Sequence, residues 1–122
     1  MDINKVIVIG RVGNDPDDRS TDQARIVAFQ VATNYRWKDK DGKWHSKTEW
    51  HSICAFGHLA RQCMKNFVKG SQVYVEGRIQ TDEVENKYSE RQRYASIIAQ
   101  TAKWIASKKK AKETKNQNFD LF

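Results

Sequence analysis

The side chains in this sequence that most often support catalysis or metal binding are His45, His51, His58, Cys54 and Cys63. Their spacing does not bring them together. His51 and Cys54 are three residues apart in a predicted strand and point to opposite faces, whereas His58 and Cys63 lie about 140° apart around a predicted helix. The sequence contains no CxxC, HxxxH, G-x-S-x-G or phosphate-loop pattern. We therefore predict no enzymatic activity, no metal site and no cofactor.

Aromatic side chains next to lysines and arginines suit a different chemistry, the binding of unpaired nucleobases. They are Trp37 between Arg36 and Lys38, Trp44 after Lys43 in a predicted loop, and Trp50 and Phe56 on one face of a predicted strand. Flat rings stack on bases of any identity at roughly 1 to 3 kcal/mol each, while neighbouring cations neutralise phosphates. The alternative for Trp50 and Phe56 is an ordinary place in the core, which fits Trp37 less well because of its charged neighbours.

The composition favours a small basic protein with a polyanionic partner. A chain of 122 residues suffices for one domain, and 22 Lys and Arg against 15 Asp and Glu leave a net charge of +7. The sequence has two cysteines, no secretory leader and no apolar run near the roughly 18 residues of a membrane span. We therefore expect free thiols and a cytoplasmic protein without a membrane segment.

Charge and apolar periodicity divide the chain near Ala106. Residues 1–106 carry +4 and residues 107–122 carry +3, and the second segment opens with a lysine run at 108–112. We predict a folded domain over 1–106 and a flexible basic tail over 107–122. The last four residues of the tail, Phe119, Asp120, Leu121 and Phe122, form an apolar tip.

The hydrophobic pattern of the domain predicts five strands and one helix. The strands cover residues 3–12, 25–37, 48–56, 72–81 and 92–105. The run Val6-Ile7-Val8-Ile9 is apolar on both faces, as in the closed part of a barrel. A helix follows Gly57, because Leu59, Cys63 and Phe67 recur every four residues, and it is predicted to end at Lys69-Gly70. One helix between the third and fourth of five strands predicts an all-β OB-fold barrel.

Several motifs resemble those of bacterial-type single-stranded DNA-binding proteins. The most specific are Thr-Glu-Trp-His at 48–51 and Lys-Gly-Ser-Gln-Val-Tyr-Val-Glu-Gly at 69–77, accompanied by Asn-Lys-Val-Ile-Val-Ile-Gly at 4–10, Gly-Asn-Asp-Pro at 13–16 and Phe-Gly at 56–57. The resemblance covers nearly all of residues 3–105. It implies a homotetramer of OB-folds that wraps and protects single-stranded DNA without sequence preference in replication, recombination and repair, associated with the bacterial nucleoid.

The resemblance also implies roles for individual residues. It makes Trp37, Trp50 and Phe56 stacking residues, Lys5, Lys40 and Lys69 phosphate contacts, and His51 a subunit contact. From their positions we add Arg11, Arg36, Lys38 and Arg78 as sources of positive field. Each of these four could equally be a solvated surface charge, and His51 could equally be an ordinary half-buried strand histidine.

Two segments depart from the family pattern. The hairpin between the fourth and fifth strands starts with Asp-Glu-Val-Glu at 82–85, where relatives carry basic residues and a further stacking ring. We expect weaker binding or a smaller wrapping mode unless Tyr88 or Arg91 compensates, and a solvated turn is the other interpretation. The tail is short and lysine-rich, and its tip has one carboxylate and no proline. The resemblance implies docking of replication or repair proteins at the tip, and this departure argues against it.

Three hypotheses for the function remain. The first is non-catalytic binding of single-stranded DNA. The second keeps the barrel but assigns RNA or a protein as its partner, because OB-folds serve many ligands. The third is an enzyme, which would show metal-dependent cleavage of single strands that survives repurification.

Overall fold

Residues 1–106 form six β-strands and one α-helix in the order that their hydrophobic pattern predicts, with one short strand added. The computed structural model describes residues 1–106. In chain order the elements are β1 (Val6–Val12), β2 (Asp17–Asp18), β3 (Ile26–Lys38), β4 (Trp44–Phe56), α1 (Gly57–Asn66), β5 (Gln72–Glu85) and β6 (Arg91–Ala106). The predicted flexible tail at 107–122 and its tip at 119–122 lie outside the described residues.

Five of the strands close into a barrel. The sheet runs in the order β1-β5-β6-β4-β3-β2 and closes where β1 also pairs with β3, at Val12 opposite Val31. The predicted OB-fold barrel is confirmed. β2 is a two-residue strand on the edge of β3 that the sequence does not predict, because two aspartates carry no strand signal. With β2 counted, α1 lies between the fourth and fifth strands rather than between the third and fourth.

Period-two alternation places one side of each barrel strand in the core. The buried apolar side chains are Val8, Val12, Val27, Phe29, Val31, Ile53, Ala55, Ala60, Cys63, Phe67, Val73, Val75, Ile97 and Ala99. On β3 and β4 these are the odd-numbered residues, so the even-numbered ones face outward. β1 differs from the prediction. Ile7 and Ile9 are about half exposed, because only one side of β1 faces the barrel interior within a single chain.

β3 and β4 form a long hairpin that extends beyond the barrel. Thirteen residue pairs join the strands, and the last is Lys38 opposite Trp44. β4 begins four residues before the predicted start, so Trp44 is a strand residue rather than a loop residue. The connection is a tight turn in which Asp39 Oδ1 accepts a hydrogen bond from the Lys43 N–H at 2.9 Å. Gly42 supplies the left-handed backbone that the turn needs, with a φ of +82°.

β5 and β6 form a second long hairpin. Their pairing extends to Glu85 opposite Arg91, so half of the predicted polar hairpin connection over 82–91 is strand. The turn itself is short and is closed by Asn86, whose Oδ1 accepts hydrogen bonds from the N–H groups of Tyr88 and Glu90 at 2.8 and 2.9 Å.

The helix α1 packs its apolar side against the barrel. It starts at Gly57, which has a φ of +65°, and it buries Ala60 and Cys63. It ends at Asn66, before the predicted end at Lys69-Gly70, because Phe67 has an extended backbone and enters the core. Within residues 1–106, no helix has the length and apolar character that crossing a membrane requires.

Candidate nucleic-acid interface

A groove lies on the outward face of β3 and β4, between the segment that follows β1 and the first residues of β6. It encloses about 450 Å³, and its lining includes Gly13, Arg19, Gln30, Trp50, Cys54 and Tyr94. The strands supply the floor because their even-numbered residues face outward. Residues 13–19 and the start of β6 supply the walls. In OB-folds this face and its flanking loops bind oligonucleotides and oligosaccharides.

Trp50 provides the large aromatic surface of the groove. Its side chain is 55% exposed although the residue lies within β4. The ring packs over Gly13, where an added Cβ would lie only 3.1 Å from Cη2 and 3.2 Å from Cε3. Ordinary carbon contacts are about 3.5 to 4.0 Å. Glycine at position 13 therefore leaves room for the ring, which rests on backbone and still presents more than half of its area to solvent.

Phe56 and Trp44 lie on the same face of β4 as Trp50, each six residues away from it. At about 3.3 Å per residue, each spacing is roughly 20 Å along the strand. Phe56 is 46% exposed and Trp44 is 60% exposed. The outward face of β4 thus carries three aromatic rings at equal intervals, of which the sequence analysis assigned Trp50 and Phe56 to stacking.

Trp37 lies on the opposite face of the β3–β4 hairpin. It is directly opposite His45, and the two ring centroids are 5.3 Å apart. Trp37 also stacks on Tyr35, and the centroids of these two rings are 5.7 Å apart. Both neighbouring rings are within 22° of parallel to the indole. The structure therefore does not bring Trp37 onto the face that carries Trp50 and Phe56, although its side chain is still 38% exposed.

Asp39 holds His45 in this stack. The distance from His45 Nε2 to Asp39 Oδ2 is 2.7 Å. This hydrogen bond, followed by the one from the Lys43 N–H, lowers the pKa of Asp39. The carboxylate is therefore charged at neutral pH and offsets part of the positive charge in the turn.

Three of the predicted basic residues lie on the β3–β4 hairpin. Arg36 Cζ and Lys38 Nζ lie 5.1 and 5.8 Å from the centre of the Trp44 ring, and Lys40 is exposed in the turn. Residues 36–47 contain five basic and two acidic side chains, which leaves +3 with histidine neutral. The hairpin therefore presents a positive field that attracts phosphates.

The other four predicted basic residues lie elsewhere on the barrel. Lys5 Nζ is 3.3 Å from Glu76 Oε2, and Arg11 Nη1 donates a hydrogen bond to a backbone carbonyl in the α1–β5 loop at 2.9 Å. Lys69 is exposed in that same loop, and Arg78 is exposed on β5. The groove lining includes none of the four.

Sequence reasoning missed two groove residues. Within residues 1–106, Arg19 is the one basic residue that lines the groove. Its Nε lies 3.0 Å from Asp17 Oδ2. Tyr94 is 53% exposed and donates a hydrogen bond from its hydroxyl to Gln92 Oε1 at 2.5 Å. Alternation from the buried Ile97 could have placed Tyr94 on the outward face. No such signal existed for Arg19, because residues 13–25 have no periodic apolar pattern.

Tyr88 and Arg91 do not line the groove, so neither supplies there the further stacking ring that relatives carry. Tyr88 is 70% exposed at the β5–β6 turn, with Lys87 Nζ 5.1 Å from its ring centre. Glu83 lies 3.0 Å from Arg91 and 4.0 Å from Arg93. Residues 82–93 contain four acidic and three basic side chains, a net charge of −1. This hairpin therefore repels phosphates weakly, whereas the β3–β4 hairpin attracts them.

His51 points to the other side of β4. Its Nε2 is 2.9 Å from Thr33 Oγ1, and the pair is partly buried. A second cavity of about 290 Å³ is lined by His51 with Val6, Ile79 and Ile97. These contacts are those of a half-buried strand histidine, and the subunit contact stays a prediction.

The two cysteines are free thiols, as predicted. Desolvation raises the pKa of both, and for Cys63 the pKa rises to about 11. Both thiols are therefore protonated at neutral pH and are weak nucleophiles. Across the described part of the chain, no three His, Cys, Asp or Glu side chains are grouped so that they could hold a metal ion.

A closed five-stranded barrel with an aromatic groove on one face defines the OB-fold class of binding proteins. The sequence model of the Single-strand binding protein family matches residues 3–105. The chain belongs to this family.

Individual relatives agree with this assignment. The chain is 42% identical over 100 residues to Single-stranded DNA-binding protein 1 of Chlorobaculum tepidum, which is 81% of this chain and 62% of that protein. It is 37% identical over 109 residues to the Single-stranded DNA-binding protein of Neisseria meningitidis serogroup A, which is 88% of this chain and 63% of that protein. The chain thus spans less than two thirds of the length of these curated relatives.

A solved structure shows the same fold. It is described as Plasmodium falciparum SSB complex with ssDNA and superimposes with a TM-score of 0.81 at 28% sequence identity. The match covers 87% of this chain and 97% of that one.

Proposed function

We propose that this protein binds single-stranded DNA without sequence preference and catalyses no reaction. The observation that carries the proposal is the outward face of β4, where Trp50 and Phe56 are each about half exposed. Burying apolar surface stabilises a protein by roughly 25 cal/mol per Å², so aromatic rings left open beside a groove are typical of a binding site. The names of the relatives, and the single strand in the P. falciparum structure, support DNA as the ligand.

Stacking on exposed rings accounts for the absence of sequence preference. Every base has a π-face, whereas the bases of a duplex are stacked on one another and closed to protein rings. In this groove the rings of Trp50 and Tyr94 can receive bases, and Arg19 can pair with a phosphate. Binding then weakens with salt, with a slope of about −0.7 for each phosphate neutralised on a single strand.

The remaining predicted contacts lie along the outside of the barrel. Lys40 acts with the β3–β4 hairpin, and Lys5, Arg11, Lys69 and Arg78 contact a strand that continues past the groove. The ion pair of Lys5 with Glu76 reduces the charge that Lys5 offers to DNA. A bound DNA strand reaches Trp37 only if it passes round the edge of the β3–β4 hairpin. It reaches Tyr88 only if it follows the β5–β6 hairpin.

We propose a homotetramer as the functional unit, as the family resemblance implies. An exposed apolar patch on the β1–β5 face supports a contact with a second copy. It consists of Ile7 and Ile9, which are 54% and 52% exposed, beside Tyr74 opposite Ile9. Light scattering tests this, because Ile9→Asp should lower the particle mass. An unchanged mass would place the contact elsewhere, for instance at His51.

Three further proposals concern the rest of the chain and its setting. Residues 107–122, which we divide from the domain at 1–106, add phosphate contacts through their lysines. Their removal should lower both affinity and salt slope, whereas a rise in affinity would mean that they compete with DNA, and no change would make them a solubilising appendage. We propose that the tip at 119–122 docks replication or repair proteins and that the protein acts in the cytoplasm on the nucleoid.

Tryptophan fluorescence titration with oligothymidine tests the main proposal. Trp50→Ala should weaken binding by about 5- to 150-fold, the range for one stacked base. Met64→Ala is the control, because Met64 is 44% exposed on α1, outside the groove. A matched RNA oligomer that binds more tightly than DNA would favour the RNA alternative. Intact oligomer after incubation with repurified protein and Mg²⁺ is expected, and cleavage would contradict the non-catalytic role.

A further inference from the structure

Building on the proposed function, we propose that Trp44 is an additional base-stacking residue and that the bound strand leaves the Trp50 groove along the outward face of the β3–β4 hairpin. Trp44 belongs to the row of rings on β4, six residues beyond Trp50 and on the same side of the strand. The hairpin pairing is unbroken between them, so alternation carries the groove face to the end of the hairpin.

The Trp44 side chain is available to a base. It is 60% exposed, which is more than Trp37, Trp50 or Phe56. Arg36 and Lys38 approach its ring at 5.1 and 5.8 Å. Such cation–π contacts hold an exposed indole in place, and they set two positive charges beside the ring where the phosphates of a stacked strand would pass.

The charges of the two hairpins favour this direction over the other one. The β3–β4 hairpin carries +3 over residues 36–47, whereas the β5–β6 hairpin carries −1 over residues 82–93. Both hairpins extend from the barrel near the groove, since Trp50 and Tyr94 line it together. A polyanion that enters this groove is therefore drawn along the first hairpin and repelled from the second.

The opposite face of the same hairpin is less suited to a base. There Trp37 already stacks on Tyr35 and on His45, and Asp39 brings a carboxylate to His45 at 2.7 Å. This stack of three rings covers the face of the hairpin opposite Trp44. Trp44 is therefore the more accessible ring, and it lies on the face that carries Arg36 and Lys38.

The experiment compares two lengths of oligothymidine, about 5 and about 16 nucleotides, near the limits of what one OB-fold covers. The variants are Trp44→Ala and Trp44→Phe, with Trp50→Ala as the groove reference and Met64→Ala as the surface control. Trp44→Ala should weaken binding of the longer oligomer by about 5- to 150-fold and of the shorter by less than about twofold, because the shorter one fills only the groove. Trp44→Phe should retain most of the affinity.

A second measurement tests the path of the phosphates. The double substitution of Arg36→Ala and Lys38→Ala should reduce the salt slope for the longer oligomer by about 1.4, which corresponds to two phosphate contacts. The slope for the shorter oligomer should stay the same. Light scattering of each variant confirms that the assembly is unchanged, and a change of mass with Trp44→Ala would make Trp44 an assembly residue and overturn the proposal.

The outcomes separate this inference from the function it rests on. If Trp50→Ala weakens binding and Trp44→Ala does not, or if Trp44→Ala weakens both lengths equally, the hairpin path is wrong while the groove stands. The proposed function itself fails if the unmodified protein binds neither oligomer. It also fails if Trp50→Ala binds the oligomers as tightly as the unmodified protein.

Discussion

The contact between Gly13 and Trp50 yields a prediction that separates binding from folding. In Gly13→Ala the new Cβ would fall well inside contact distance of the indole, at 3.1 Å from Cη2 and closer still to Cζ3. Since carbon contacts need about 3.5 to 4.0 Å, the ring must shift by on the order of 1 Å. Trp50 is 55% exposed, so its ring can move into solvent without disturbing the core. We expect a folded protein with a misplaced stacking ring.

The expected magnitudes differ for the two properties. Loss of one stacked base weakens binding by about 1 to 3 kcal/mol, or about 5- to 150-fold, and this is the upper limit for a displaced ring. Stability changes little, because Gly→Ala at a compatible backbone position stabilises by about 0.4 to 1 kcal/mol through the unfolded state and offsets the cost of moving the ring. For a domain of about 100 residues the melting temperature should then shift by less than about 5 °C.

The assay is a fluorescence titration with oligothymidine beside a thermal melt, and Gly10→Ala is the matched control. A Cβ on Gly10 would collide with the backbone carbonyl of Ala32 and lie 2.9 Å from Val31 Cγ1, where β1 closes the barrel on β3. That variant should lose stability by about 1 to 3 kcal/mol or more. Combining Gly13→Ala with Trp50→Ala should weaken binding no further than Trp50→Ala alone. Full additivity, or unaltered binding by Gly13→Ala, would refute the role of the Trp50 ring.

Three other predictions follow from single residues. Cys54 lines the groove and Cys63 is buried, so N-ethylmaleimide should modify Cys54 first, and bound oligothymidine should slow that reaction. Asp39→Asn removes a carboxylate whose pKa is lowered mainly by its bond to His45. That carboxylate stabilises the fold above its ordinary pKa near about 4 and ceases to do so as pH falls through the lowered pKa, so melts should show a shallower acid slope. Trp37→Ala should weaken binding less than Trp50→Ala does, because two rings already cover part of its indole.

The sequence predicts the barrel well because a barrel strand has one buried face. Val27, Phe29 and Val31 on β3 alternate with outward residues, and the same count places Trp50 and Phe56 outside. The hairpin beyond the barrel gives no such signal, since Ser46 and its neighbours are polar on both sides. This part of the hairpin is held by pairs of side chains on neighbouring strands, which leave no apolar alternation in the sequence. The start of β4 is therefore predicted four residues too late.

The site is predicted less completely than the fold. Family resemblance groups Trp37 with Trp50, but the parity of β3 sets Trp37 with the inward residues and so on the other face. Tertiary contacts decide the rest. Arg19 reaches the groove from a segment without periodicity, and Lys5 is paired with Glu76 across two strands, a contact that no local pattern reveals.

On the proposed path, the opposite net charges of the two hairpins should make the course of the DNA strand depend on salt. The Debye length is about 10 Å at 0.1 M and about 3 Å at 1 M. The electrostatic difference between the β3–β4 hairpin, with a net charge of +3, and the β5–β6 hairpin, with −1, therefore weakens as salt rises. Stacking on uncharged rings does not weaken in this way. At low salt the β3–β4 hairpin should therefore direct the strand, and at high salt the rings of Trp50 and its neighbours should carry most of the affinity. A residue that acts through charge loses its effect across such a series, and a residue that acts through stacking keeps it. Each predicted contact can be assigned to one of these two classes by the salt dependence of its alanine variant.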